Sequence, residues 1–241
     1  LTVEMHSCFW REVTRPEHGL FESTENGSTF LPRSGASPDK LKFTGHILLK
    51  SVLDDHPIGG GLSSFVFQYL CGSHDSLFNE AQPQRALRAL YDYDAELATL
   101  WGSYLTMDAT ALCEQELTLD LFDDGATDDA VTEANVWRAV VLGCRKRLIT
   151  DRCQSLQALA AGFTFDGKID LTLQMAHHPI KDLTLMVQGK VILSVQDIVD
   201  CIDWVSSTSP STHIFREALP QLDAQRTLLL RWCTALNALP A

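Results

Sequence analysis

The chain has 241 residues, 45% of them apolar and 21% charged, so it can bury a full core and its composition excludes a disordered polymer. Its net charge of -12 argues against nucleic acid or an anionic membrane as the main partner, since both reward clustered Lys and Arg. No run of about eighteen apolar residues occurs, nor a basic stretch followed by an apolar one, so neither a membrane span nor a signal peptide is visible; the expected location is cytoplasmic, with the nucleus as the alternative. Seven cysteines at positions 8, 71, 113, 144, 153, 201 and 233 show no C-x-x-C pair or other metal spacing, and most lie in apolar helical patterns. They are expected to be small buried core residues in a reducing compartment.

In chain order, residues 1–16 read as a helix with Phe9 and Val13 on one face. Glu17 to Glu22 then lead into a hairpin turned by Asn26-Gly27, a dipeptide suited to positive φ, and this turn role accounts for the sequon Asn26-Gly27-Ser28. Ser37, Pro38 and Asp39 form a helix start signal: a side-chain oxygen for an orphan amide, a ring that needs no amide, and a charge favoured by the dipole. Leu41, Ile47, Leu48, Val52 and Leu53 recur as a buried face, with Gly45 offering a flat spot where a neighbouring backbone could approach. The helix is expected to stop at Asp54-Asp55. His56-Pro57 and the triple glycine at 59–61 make a turn, and a second apolar helix over 64–71 is stopped by Gly72. Residues 37–72 are thus two buried helices meeting at a glycine elbow.

Asp94 is placed as the N-cap of a core helix with Leu97, Leu100, Trp101, Tyr104 and Leu105 on one stripe. Leu117, Leu119 and Leu121 alternate with Thr118, Asp120 and Phe122, which predicts a strand, and Asp123-Asp124-Gly125 turns the chain towards Val131 as a hairpin. Thr132 is the predicted cap of a helix carrying Val136, Val140, Val141, Cys144 and Leu148, and a further helix ends at Gly162-Phe163. Asp120, Asp123, Asp124, Asp128 and Asp129 lack the alternating ligand register and closing Glu of a calcium loop, so they read as a solvated acidic turn. His177-His178 are adjacent and have no further ligand at zinc spacing. No metal and no cofactor are expected.

Beyond residues 182–186 and Gly189, Ser194 with Asp197 forms a capping box for a helix bearing Ile198, Cys201, Ile202 and Val205. Residues 206–212, which begin Ser206, Ser207, Thr208, Ser209 and Pro210, are too polar and aperiodic to pack and read as a linker. Past Pro220, Asp223 is the predicted cap of a last helix with Leu228, Leu229 and Trp232 on its face. No phosphate-binding loop, nucleophile elbow or dinucleotide fingerprint occurs, which argues against an ordinary small-molecule enzyme.

Six blocks of this pattern, in order, resemble HECT-type ubiquitin ligases of the group that includes the Nedd4 and Smurf ligases. The first is Glu12, Pro16, Gly19, Leu20, Phe21 and Glu22. The second is Phe43-Thr44-Gly45-His46 followed by Gly60-Gly61-Leu62-Ser63-Ser64-Phe65, with His46 where the family has arginine. Asp94-Ala95-Glu96-Leu97 is the third, with alanine for proline. Gly125, Val131, Thr132, Asn135, Ala158, Gly162 and Phe163 form the fourth, Asp182 to Met186 with Gly189 the fifth, and Thr234, Leu239 and Pro240 the last, where Ala235 and Ala238 replace glycine and arginine.

The resemblance implies an α+β, mainly helical fold: a HECT N-lobe with small β-hairpins over 1–205, a hinge over 206–212 and the start of a C-lobe over 213–241. It implies a subdomain at about 106–165 that binds a ubiquitin-conjugating enzyme, with Trp137, Ala139, Leu121 and Phe122 as the docking residues. Ala139 stands where the family has an aromatic, and Trp137 is the nearest replacement. Ubiquitin and protein substrates are the other implied partners. In the family a C-lobe cysteine takes ubiquitin as a thioester; here it is expected beyond Ala241, so no catalytic residue is assigned and the chain alone is expected to be inactive. His6-Ser7-Cys8-Phe9 mimics the family's His-Thr-Cys-Phe setting but lies at the wrong end. The alternative is a degenerate HECT-like module that binds proteins without transfer, motivated by Ala139, Ala235, Ala238 and a shortened hairpin.

Overall fold

Trp10 and Val13 are the buried edge of helix α1 (Thr2–Val13), with Phe9 half-buried beside them, and the Trp10 ring stands edge-on to Phe21 at 5.2 Å. The computed structural model describes residues 2–24, 29–122, 127–165, 169–170, 179–190, 194–201, 210–226 and 228–229. Phe21 belongs to the predicted hairpin, strands β1 (Phe21–Ser23) and β2 (Phe30–Pro32), paired antiparallel from Phe21↔Pro32 to Ser23↔Phe30. Its Asn26-Gly27 turn lies outside the described residues.

Helix α2 (Pro38–Leu53) starts where its signal says, yet the Ser37 hydroxyl makes no capping bond, so Pro38 and Asp39 define the start. Its buried face differs from the apolar stripe. Leu41, Thr44, Gly45, Leu48, Leu49 and Ser51 are buried, Ile47 and Val52 are half-buried, and Leu53 is 54% exposed. The small residues turn inward because a partner helix lies close along them. Thr44 and Ser51 donate to the Lys40 and Leu48 carbonyls at 2.9 and 2.7 Å, which removes the cost of burying their hydroxyls.

After α2 the elbow forms as expected, with φ of +91°, +96° and +100° at Gly59, Gly60 and Gly61, values that only glycine adopts without strain. Helix α3 (Ser64–Leu70) follows, its first turn capped by Ser63, whose hydroxyl accepts the Phe65 amide at 3.3 Å. Helix α4 (Pro83–Tyr91) precedes α5 (Ala95–Tyr104), and Asp94 caps the latter by accepting the Leu97 amide at 2.8 Å. Of the expected stripe, Trp101 and Tyr104 are buried whereas Leu100 is exposed. Helix α6 (Ala109–Cys113) is likewise capped by Asp108.

Residues 117–122 are not a strand. They include a 3-10 turn, Leu119–Leu121, joined to the returning chain by the bridge Thr118↔Ala130. Leu119 and Phe122, three apart, are both buried, so the local apolar period is that of a helical turn and not of a pleat. Helix α7 (Val136–Leu148) also begins later than Thr132: Asn135 is its N-cap residue, and the Asn135 side chain accepts the Thr132 amide at 2.6 Å.

Helix α8 (Cys153–Gly162) ends at its predicted glycine, and Thr164–Phe165 (β3) pairs with Ile169–Asp170 (β4). Helix α9 (Ile180–Gln188) stops at Gly189. The capping box of α10 (Val195–Cys201) is formed: the Ser194 amide reaches Asp197 at 2.7 Å and the Asp197 amide reaches the Ser194 hydroxyl at 3.2 Å. Pro210, Ser211 and Thr212, assigned to the hinge, are instead the first turn of α11 (Pro210–Ala218), where proline is well tolerated. Ser206, Ser207, Thr208 and Ser209 lie outside the described residues, as do His177, His178 and Trp232. Asp223, the predicted cap, lies inside a 3-10 turn, Leu219–Gln225.

The fold is α+β and mainly helical. One core joins α1 through α9, and a smaller cluster centres on Ile198 and Leu219. No helix among the described residues is long and apolar enough to cross a membrane.

Candidate docking site

Phe122 organises the region where docking is expected. Its ring lies 5.4 Å from Trp101 and 6.4 Å from Tyr104 of α5, and Gly143 of α7 leaves the room: a Cβ there would stand 2.7 Å from Trp101 and 2.9 Å from Phe122. Phe122 therefore pins the 3-10 turn from within. The neighbouring Leu121 is consequently held outward, at 63% exposure.

Ala139 is fully buried on the inner face of α7, so the position where the family carries an aromatic offers no surface here. Trp137 is half-buried, with its indole N–H donating to the Ala134 carbonyl at 2.9 Å. It lines a shallow hollow of about 660 Å³ with Asn79, Glu80, Ala81 and Pro83. Of the four expected docking residues, then, Leu121 and Trp137 present surface, while Phe122 and Ala139 support it from behind.

A cleft that sequence reasoning missed opens beside the bridge. It holds about 390 Å³ between Leu112 and Cys113 of α6 and Leu117, Ala130 and Val131, with Glu116 and Glu133 at its edge. Asp108, a capping residue just ahead of an apolar pair, is the signal that could have revealed α6, but a five-residue helix is too short to show a period. The hollow at Trp137 does not include Leu121, and the α6 cleft includes neither residue, so the surface is a set of separate apolar points.

Its electrostatics are one-sided. Residues 106–135 contain nine Asp and Glu and no Lys or Arg. The nearest cations on α7, Arg138 and Arg145, stand 3.9 Å from Glu80 and Asp75 in exposed pairs that contribute little to stability.

The cysteines differ from one another. Cys144 is buried in α7, and burial pushes its thiol up to about 12. Burial also raises Cys71. Cys113 is exposed, against the expectation that every cysteine is core, because it sits on the outer side of the short α6. Cys8 is half-buried and accepts from Arg11 at 3.4 Å, while His6 turns inward to Asp54, its Nε2 3.4 Å from the carboxylate. The tetrapeptide His6-Ser7-Cys8-Phe9 therefore does not assemble a His–Cys pair. Among the described residues no group of three His, Cys, Asp or Glu side chains is arranged to hold a metal ion.

A family model described as HECT-domain (ubiquitin-transferase) matches residues 7–241. The chain is also similar to a bifunctional serine/threonine-protein kinase/NEDD4-like E3 ubiquitin-protein ligase of Dictyostelium discoideum, 26% identical over 206 residues, which is 83% of this chain and 10% of that protein. The chain thus spans about a tenth of the length of this relative.

Proposed function

The chain belongs to the HECT-domain (ubiquitin-transferase) family, and from that premise we propose that it docks a ubiquitin-conjugating enzyme on the acidic surface around Leu121 and Trp137. The observation that carries the proposal is the outward Leu121 backed by the buried Phe122, an apolar point held on a turn that cannot retract without opening the core. Few contacts dominate most protein interfaces, and aromatic anchors such as Trp137 are the usual ones. Titration of the chain with a panel of conjugating enzymes tests the reading. Leu121→Asp and Trp137→Ala are each expected to weaken a wild-type binder at least tenfold, equivalent to roughly 1.4 kcal/mol.

The same reading gives this chain the docking step of the ligase reaction. Buried, weakly acidic thiols such as Cys71 and Cys144 are poor acceptors of a thioester, and Cys8 and Cys113 lack an imidazole partner among the described contacts. Ubiquitin is accordingly proposed to pass through a cysteine other than these four. Incubation with activating enzyme, charged conjugating enzyme and ubiquitin, read on a non-reducing gel, is expected to yield no adduct that mutation of any of the seven cysteines abolishes. The inward Ala139 favours a second reading, a HECT-like binding module without transfer, and the two part on the protein that contains this chain. Transfer to a substrate lysine supports a ligase, and binding without it the module.

The linker reading is proposed in shortened form for residues 206–209, since α11 already begins at Pro210.

A further inference from the structure

Where α7 meets α8 the chain makes a 3-10 turn, Thr150–Arg152, and three other segments close on it. Arg152, whose side chain is 4% exposed, donates to the Glu22 carboxylate of β1 and to the Arg147 carbonyl at the end of α7. Its guanidinium lies over the Tyr93 ring, 4.8 Å from the centroid, and the Tyr93 hydroxyl donates at 2.8 Å to the same Glu22 oxygen. From the loop after β2, the Ser34 hydroxyl donates to the Asp151 carbonyl, and Ser155 in the first turn of α8 returns a bond to the Arg33 carbonyl at 2.7 Å.

Burying an ion pair adds little net stability, because desolvation takes back most of the Coulombic gain. What a buried guanidinium does supply is direction: the two terminal amino groups of Arg152 meet their acceptors in one arrangement, while its Nε is buried without a hydrogen-bond partner among the described residues. At this joint the acceptors belong to β1 and α7, and the stacked ring belongs to the loop before α5. On one side of the joint α7 carries Trp137; on the other, α8 is seated on α2 by close backbone contact.

We propose that Arg152 is a positioning residue: it fixes the angle between α7 and α8, and thereby the direction in which a docked conjugating enzyme is presented to the rest of the fold. This rests on the docking reading above. The joint is a lock on orientation, separate from the surface that makes contact.

The test is the orientation of α7 relative to α2 and α8, from backbone residual dipolar couplings of the whole chain, beside its affinity for a conjugating enzyme. In the wild type one alignment tensor is expected to fit all three helices. In Arg152→Gln the angle between α7 and α8 is expected to change, while affinity stays within twofold because Leu121 and Trp137 are untouched. Arg152→Lys keeps the charge without the fork and is expected to behave like Arg152→Gln. If Arg152→Gln does not fold, Glu22→Gln, which still accepts from Tyr93, carries the same measurement.

A single tensor with unchanged helix angles in a folded variant overturns the proposal, as does a lower melting temperature with α7 still aligned, which makes the joint merely structural. Should the wild type bind no enzyme of the panel, the docking reading falls by itself. The couplings then still decide whether Arg152 sets the angle.

Discussion

Gly45 of α2 and Gly162 of α8 occupy each other's side-chain space: a Cβ built on Gly45 stands 2.8 Å from the Gly162 α-carbon, and one on Gly162 stands 2.9 Å from that of Gly45. The Leu159 and Lys42 carbonyls lie closer still to these two positions. Alanine in a helix is favoured over glycine by about 0.8–1 kcal/mol, while overpacking costs about 1–3 kcal/mol, and here the obstructing atoms are backbone that cannot rotate away. Gly45→Ala is therefore expected to destabilise the fold by about 2 kcal/mol in urea unfolding. Gly162→Ala added to it should cost less than the sum, since one displacement of α8 relieves both clashes. A stabilised Gly45→Ala protein would refute the close approach.

Leu121 and Phe122 should separate function from stability, although they are neighbours. Leu121→Asp is expected to leave the thermal midpoint unchanged and to weaken binding of a conjugating enzyme at least tenfold. Phe122→Ala empties the space between Trp101, Tyr104 and Gly143 and is expected to cost about 3–5 kcal/mol. If the two variants lose stability equally, Leu121 is not the free point described.

Nine carboxylates over residues 106–135, with no cation among them, predict a partner with a basic contact face. Affinity should fall as salt rises, chiefly through the association rate, because the Debye length shrinks from about 10 Å at 0.1 M to about 3 Å at 1 M. Stopped-flow association at several salt concentrations measures this. A rate independent of salt would remove the electrostatic part of the docking proposal.

Two imbalanced histidines set a pH dependence. Burial lowers His6 below its usual 6.5 against the opposing pull of Asp54, with His56 and Lys50 adding to the lowering. Burial likewise lowers His74, opposed by Asp75 and assisted by Arg145. In both, the unfolded chain takes up the proton first as pH falls. The contribution to stability is therefore complete above about pH 6.5 and is lost as pH drops through the folded values. The thermal midpoint is expected to fall between about pH 7 and pH 5. His74→Phe, which keeps the ring against Tyr69 at 4.5 Å, should make that fall shallower, and an unchanged slope would clear His74 of the role.

What could be read from the residues alone was what they announce locally. Asp94 before Leu97, and Ser194 with Asp197, are caps whose donors lie within three residues, and Gly45 stands out as a missing side chain inside an apolar helix. The turn at Leu119 and Phe122 was obscured because three leucines at even spacing imitate a pleat, while burial selects positions three apart. Arg152 meets Glu22 across 130 residues and His6 meets Asp54 across 48, and no local signature accompanies pairs so distant. For the docking site, the buried places of Phe122 and Ala139 depend on how α5, α7 and the turn pack, which one segment read by itself does not reveal.

The glycine elbow after α2 is held from far along the chain: Gly61 donates to the Gln188 side chain at 3.1 Å across 127 residues, the Gln188 amide donates to the Leu62 carbonyl, and Ile58 donates to the Val187 carbonyl. The flat face of α2 likewise waits for α8. During synthesis from the N-terminus, Leu41, Leu48 and their neighbours therefore leave the ribosome well before anything that covers them exists. Closing such long loops is entropically slow, so folding should be delayed until α8 and α9 are made, and the nascent chain carries an open apolar helix for chaperones throughout that interval.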